Sequence, residues 1–189
     1  EWYVRYYTRQ YRLPHLILRY ADIYGEVDGV RAWHPLTSFL MQLTRGRRPT
    51  IRGTDRDVRD HIFIDDVVRA NLYALERGCN ETLHISSGQG YTLKQFYHAA
   101  TRVLQSDLQP VYASPSQTEP GAIILDNRRA AQVLKWRPEI DFLTGINLAV
   151  ERLCGKPIEV HTEPLTLERL DLREQAASQE QTSRSAALV

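Results

Sequence analysis

The chain is poor in several things at once. It has two cysteines, one methionine and only three lysines, the first of them Lys94, and its 24 basic and 23 acidic residues leave a net charge of +1. Cys79 and Cys154 are too few and too far apart for a disulfide framework or a zinc cluster, which points to a reducing cytoplasm. No apolar run approaches the length of a signal peptide or a membrane span. The six histidines are scattered without an i, i+4 pair, so no metal site is expected. A balanced charge offers no field to hold a nucleic-acid backbone or an acidic membrane, and no Gly-x-Ser-x-Gly elbow occurs. What is there is 189 residues of ordinary globular composition, 42% apolar and 25% charged, enough for one compact domain. The chain opens on Glu1 and its single methionine is Met41, so the sequence reads as part of a longer protein.

Periodicity predicts alternating helices and strands. Val4, Tyr7 and Tyr11 stand at helical spacing before Pro14. Residues 16 to 18 form a short buried strand that turns polar at Arg19 and ends on Gly25. Leu36, Phe39, Leu40 and Leu43 fall at i, i+3, i+4, i+7 between Pro35 and Gly46, which predicts a helix. The stretches "PTIRG", "HIFI", "ETLHISSG" and "PVYAS" read as strands. Val67, Val68, Leu72 and Leu75 predict the apolar face of a helix ending at Gly78. Thr92 and Gln95 form a capping box ahead of Leu93, Phe96, Tyr97, Ala100 and Leu104. Two more helices open on Asp126 and Asp141. Strands alternating with helices imply an α/β fold with mostly parallel strands. From Cys154 to Val189 the periodicity fades, and a polar, mobile tail is expected.

Three features invite chemistry. Asp65 and Asp66 follow a strand and open a helix, where backbone N–H groups and the helix dipole favour carboxylates; helix capping accounts for them better than catalysis or metal binding. Arg59 stands beside Asp60 just before a strand. There a guanidinium could clamp a diphosphate in fork geometry or pair with Asp57, Asp60 or Asp65. "SSGQGYTLKQF" places two glycines between a strand and a helix, but Leu93 stands where a dinucleotide fingerprint needs its third glycine, so Gly88 and Gly90 read as turn residues.

Four stretches, in order, resemble one family: "LPHLILRYADIYG", "RGRRPTIRGTDRDVRDHIFIDDVVRANLYALE", "ETLHISSGQGYTLKQF" and "LDNRRAAQVLKWRPEIDFLTGINLAV". They resemble the C-terminal half of the extended short-chain dehydrogenase/reductases, the NAD-dependent epimerase/dehydratase family of nucleotide-sugar metabolism typified by UDP-glucose 4-epimerase. The likeness covers residues 1 to 153, and the Arg-Asp, strand, Asp-Asp-Val sequence is its most specific part. It implies the last strands of a Rossmann-like, NAD(P)-binding fold with the small substrate-binding lobe, the lobe being built from the helix after Pro35 and the later helices.

The resemblance further implies NAD as cofactor, a nucleotide-diphosphate sugar as ligand and a homodimer of the full-length protein. The family's glycine-rich NAD loop and catalytic Tyr-x-x-x-Lys pair are missing here, because none of the three lysines has a tyrosine four residues before it. Both are expected before Glu1, which would leave this chain inactive by itself and carrying no catalytic residue. Tyr20 matches the position against the nicotinamide end of NAD. Asp22 matches an asparagine that contacts the sugar nucleotide, and Arg59 matches the diphosphate-binding arginine. Two departures stand out: a carboxylate at Asp22 is unfavourable beside phosphates, and Glu119 stands where a second phosphate-binding arginine usually precedes Pro-Gly. The alternative is a non-catalytic binding or regulatory protein that kept the fold.

Overall fold

The structure is a computed structural model that describes residues 1–25, 35–52, 57–77, 80–113 and 121–155. Along the chain run α1 (Trp2–Tyr11), β1 (Leu16–Tyr20), β2 (Asp22–Tyr24), α2 (Pro35–Thr44), β3 (Thr50–Arg52), β4 (Val58–Phe63), α3 (Ile64–Glu76), β5 (Glu81–Ile85), β6 (Gly90–Thr92), α4 (Leu93–Val103), β7 (Val111–Ala113), β8 (Ala122–Ile123), α5 (Arg128–Val133) and α6 (Phe142–Cys154). Gly78, Cys79 and Glu119 lie outside the described residues, as does the expected tail beyond Gly155.

The pairing is parallel for β1 with β5, β2 with β4, β3 with β7 and β8 with β4; β6 runs antiparallel to β4. The predicted strand at residues 16 to 18 is longer than its apolar run and is followed at once by a second strand. β1 ends at Tyr20, the chain steps across at Ala21, and β2 joins a different sheet. A three-residue strand shows no period of its own, so sequence alone hides this step.

β4 separates two cores because successive side chains leave a strand on opposite faces. Ile62 enters one core with Val67, Ala70, Leu83, Ile85, Ala130, Leu134 and Trp136. Phe63 enters the other, where the apolar faces of α2, α4 and α6 meet Tyr24 and Tyr91. This second core is tightly filled. Tyr91 stacks on Phe142 with ring centres 3.8 Å apart, and the Tyr24 hydroxyl donates to the Phe142 carbonyl at 3.2 Å. A side chain at Gly145 would place Cβ 2.1 Å from that hydroxyl oxygen, so close helix–strand approach demands glycine.

The helix starts follow local chemistry at α4, whose Thr92 and Gln95 complete the capping box, and at α6, where Asp141 accepts from the Leu143 and Thr144 amides. At α5 the capping position is Asn127, and Asp126, one residue earlier, instead takes the Arg128 amide and guanidinium. The predicted face of α3 needs correction. Val67 is buried, but Val68, Leu72 and Leu75 are 50%, 56% and 85% exposed. The helix turns Asp66, Val67 and Ala70 inward instead, a pattern masked because a charged residue holds one of the buried positions.

Candidate functional site

The aspartate doublet is built into the fold as a clamp, which corrects its reading as a helix cap. The capping position of α3 is Phe63, and no side chain caps the helix there. Asp66 is completely buried, and its carboxylate accepts from the Glu139 and Ile140 amides at 3.0 and 3.1 Å and from Arg69 at 2.7 Å. Its carbonyl accepts the Trp136 indole N–H at 3.0 Å. Arg69 extends the clamp to Glu139 and to the Arg137 carbonyl. Asp65 pairs with Arg152 of α6 at 2.5 Å. With both Asp66 oxygens taken by protein donors and Asp65 paired to Arg152, the doublet holds α3 against the segment that leads into α6. Among the described residues no cluster of His, Cys, Asp or Glu could hold a metal ion, and no helix is long and apolar enough to cross a membrane.

The glycine turn is closed in a similar way. Asp60, 3% exposed, accepts the Ser87 amide at 2.9 Å, the Ser87 hydroxyl at 2.7 Å, the Gly88 amide at 3.0 Å and the Leu125 amide at 3.3 Å. The N–H groups that would have to cradle a phosphate therefore hold a buried carboxylate. Gly88, at φ +73°, supplies the left-handed turn that aims its amide inward. Asp60 was the residue that sequence reasoning treated only as a possible partner of Arg59. The strand period places it on the opposite face of β4, so that signal was available.

Of the sequence-predicted site residues, Tyr20 ends β1 at its carboxyl end and is 41% exposed. Its hydroxyl donates to Asn71 Oδ1 of α3 at 2.9 Å, which fixes the ring. Asp22 and Arg59 are not at carboxyl ends, as the open-sheet rule would suggest. They occupy the first residue of β2 and the second of β4. Register nonetheless puts them on one face of the sheet. Asp22 is paired with His61, and Arg59 lies two residues before His61 on the same face of β4, roughly 7 Å along the strand and within the span of its own side chain. The Arg59 guanidinium donates back to the Val58 carbonyl at 3.1 Å, and its neighbours across the ladders are Tyr91 and Ile123. Asp65 and Asp60, two of the ion-pair partners considered for it, are engaged elsewhere.

His61 is the group that sequence reasoning passed over. Its ring is 7% exposed as a residue, sits edge-on to Phe96 at 6.3 Å, and turns Nδ1 to within 3.9 Å of Asp22 Oδ2. The site is thus a cation, a half-exposed carboxylate and a buried imidazole along one face of two parallel strands, with the phenol of Tyr20 just before them in the chain. It can hold an anion and orient a polar ligand; it contains no nucleophile with an activating base.

Residues 1–86 match the model described as the NAD dependent epimerase/dehydratase family. A putative UDP-glucose 4-epimerase of Methanocaldococcus jannaschii is 30% identical over 79% of this chain and 49% of its own, and the dTDP-4-dehydro-6-deoxyglucose reductase of Escherichia coli is 29% identical over 82% and 50%. The crystal structure of the Thermotoga maritima UDP-glucose 4-epimerase with UDP-glucose superposes with a TM-score of 0.76 at 34% identity, covering 82% of this chain and 50% of that one. The Thermus thermophilus UDP-glucose 4-epimerase, solved with NAD, shares the fold at a TM-score of 0.71 and 24% identity over 81% and 50%. The chain spans about half the length of the curated relatives it matches. Sequence match and Rossmann-like fold together relate this chain to the NAD-dependent epimerase/dehydratase family.

Proposed function

We propose that the chain is the C-terminal half of a nucleotide-sugar epimerase or dehydratase and supplies the lobe that holds the nucleotide diphosphate. The observation that carries this reading is the placement of Arg59 and Asp22 on one face of β4 and β2, in a fold shared at 34% identity with an epimerase solved with UDP-glucose. Arg59 binds the diphosphate, since a guanidinium fork matches phosphate oxygens and stays charged at every working pH. Asp22 accepts from a hydroxyl or N–H of the nucleotide sugar.

For the cofactor, the half-exposed ring of Tyr20, held by Asn71, fits the nicotinamide end of NAD. The Ser87–Gly88 turn does not fit the cofactor phosphates, because Asp60 already takes its amides. NAD, when bound, supplies the hydride acceptor for oxidation of a sugar carbon. This chain's part is then to grip the diphosphate, fix the sugar over Tyr20 and keep water from the nicotinamide face. The proton is exchanged by a Tyr-x-x-x-Lys pair that this sequence does not contain.

Calorimetric titration of the 189-residue chain with UDP, dTDP and NAD tests the proposal. A pyrimidine nucleoside diphosphate is expected to bind more tightly than NAD, and Arg59→Ala to weaken it by about 1.5–3 kcal/mol, the range for a charge-assisted hydrogen bond. Equal binding by the Arg59→Ala variant would overturn the assignment. Turnover of a UDP-sugar by this chain with added NAD would show that the proton-exchanging group lies within it.

A further inference from the structure

We propose that the outer edge of β1 and the exposed row Val68, Leu72 and Leu75 of α3 form one docking surface for a βα unit, in which a strand extends the β1–β5 sheet in parallel and an apolar helix covers the row. The unit belongs to the half of the longer enzyme that this chain does not span. That source rests on the function reading above; the surface itself stands on the geometry of β1 and α3.

The edge is open in its backbone. Among the described residues β1 pairs with β5 alone. The Ala21 amide donates to the Ile85 carbonyl at 3.0 Å. Backbone groups of successive residues point alternately to the two sides of a strand, so Ile17 and Arg19 bond on the β5 side too, while Leu16, Leu18 and Tyr20 turn their N–H and C=O groups outward. Parallel strands are normally covered on both faces and read as apolar runs, and two strands by themselves are marginal. β1 has that apolar run at Leu16, Ile17 and Leu18, yet these residues are only half-buried, whereas Leu83 and Ile85 of β5 are completely buried. Nor does β1 carry the lysine, proline or bulge that blunts an edge meant for water. Its one charge, Arg19, is paired with Glu1.

α3 supplies the second part of the surface. One flank of the helix is spent on protein, where Arg69 donates to Glu139 and Arg77 to the Leu134 carbonyl. The other flank carries Asn71, which accepts from the Tyr20 hydroxyl at the end of β1, and Val68 and Leu75 stand three residues before and four after it, with Leu72 between. The apolar row therefore borders β1 rather than α5, on the side of the sheet where Leu83 packs with Val67 and Ala70. A strand alone would leave the row in water, and a helix alone would leave the edge unpaired. Only a strand with its helix satisfies both. The Thermotoga maritima enzyme has the chain to supply such a unit, since this chain covers 50% of it.

Amide hydrogen exchange on the 189-residue chain is the first test. Leu16, Leu18 and Tyr20 should exchange freely at every protein concentration, with Ile17 and Arg19 protected. Protection of all five in the chain alone overturns the open edge, and protection that grows with its concentration assigns the edge to a second copy and overturns the partner named here. The second test is co-expression with the half of the Thermotoga maritima epimerase that the superposition leaves uncovered. The chain is expected to co-purify with that half and to gain protection at Leu16, Leu18 and Tyr20. Leu72→Asp combined with Leu75→Asp, at positions exposed in the chain alone, should weaken capture by about tenfold, because the contact would then bury unpaired charge. Tyr112→Asp, on the exposed β7, should leave capture unchanged. No capture by the wild type, or equal capture by the double variant, overturns the docking surface. None of these readouts involves a nucleotide, so a failed ligand assignment at Arg59 leaves them unmoved.

Discussion

The first helix and the β4–α3 junction handle their side chains in opposite ways. α1 carries five aromatics, Trp2, Tyr3, Tyr6, Tyr7 and Tyr11, which are 87%, 81%, 60%, 50% and 60% exposed, and none of its residues is buried. Polar contacts hold it to the rest: Glu1 with Arg19, Arg5 with Thr82, and Thr8 with His15. The junction does the reverse and buries two carboxylates, Asp60 and Asp66, each saturated by protein donors. Apolar groups in water and charges in the core invert the usual rule. The inversion at the junction is stable because donors are pre-arranged around each charge. At α1 nothing among the described residues offsets the exposure of these rings.

The largest expected effect comes from breaking the junction. Asp66→Ala leaves Arg69 and the Glu139 and Ile140 amides without their acceptor, and should cost about 3–5 kcal/mol in denaturant unfolding, the range for removing one partner of a buried pair. A loss below 1 kcal/mol would mean that the clamp is ornamental. Next, Gly145→Ala forces a Cβ onto the Tyr24 hydroxyl. Overpacking of the α6 core should destabilise by about 1–3 kcal/mol, seen as a lower midpoint with an unchanged denaturant slope.

A smaller effect, with a defined pH sign, is expected at the α6 cap. Burial pushes the Asp141 carboxyl up, but the Thr144 hydroxyl and the Thr144 and Leu143 amides outweigh it, and its pKa lies below the ordinary carboxylate value. A folded pKa below the unfolded one means that the stabilisation is complete above the unfolded value and is lost as pH falls through the folded one. Asp141→Ala should therefore cost about 1 kcal/mol at neutral pH, and the gap to wild type should close in acid unfolding curves below about pH 4. The smallest change in stability belongs to α1. Replacing Trp2 and Tyr6 together by serine should shift unfolding by less than about 0.5 kcal/mol, yet reduce self-association measured by sedimentation. An equal loss of stability at α1 and at Asp66 would erase the contrast between the two regions.

The same contrast marks what the sequence makes legible. Helices with an apolar stripe and a local cap, α2, α4 and α6, are readable from spacing alone, as are β1 and β4, because the signal lies within each element. The Asp66 clamp is not: its donors are 73 and 74 residues away, at Glu139 and Ile140. The exposure of Val68, Leu72 and Leu75 is unreadable for the same reason, since a charged residue took an inward position that periodicity assigns to an apolar one. At the candidate site, Arg59 and Asp22 are singled out by their resemblance to a family pattern, which remains a proposal for this chain. Their companion His61 is not, because its partnership depends on the register of a three-residue strand.

The assignment of the ligand face is tested most directly by adding UDP-glucose to the ¹⁵N-labelled chain and following backbone amide shifts. The account predicts saturable changes at Asp22, Arg59, His61 and Tyr91, with little change along α1 or at the Ser87–Gly88 turn, whose amides Asp60 already holds. Changes centred on that turn or on α1, or none on the β2–β4 face at saturating ligand, would contradict it.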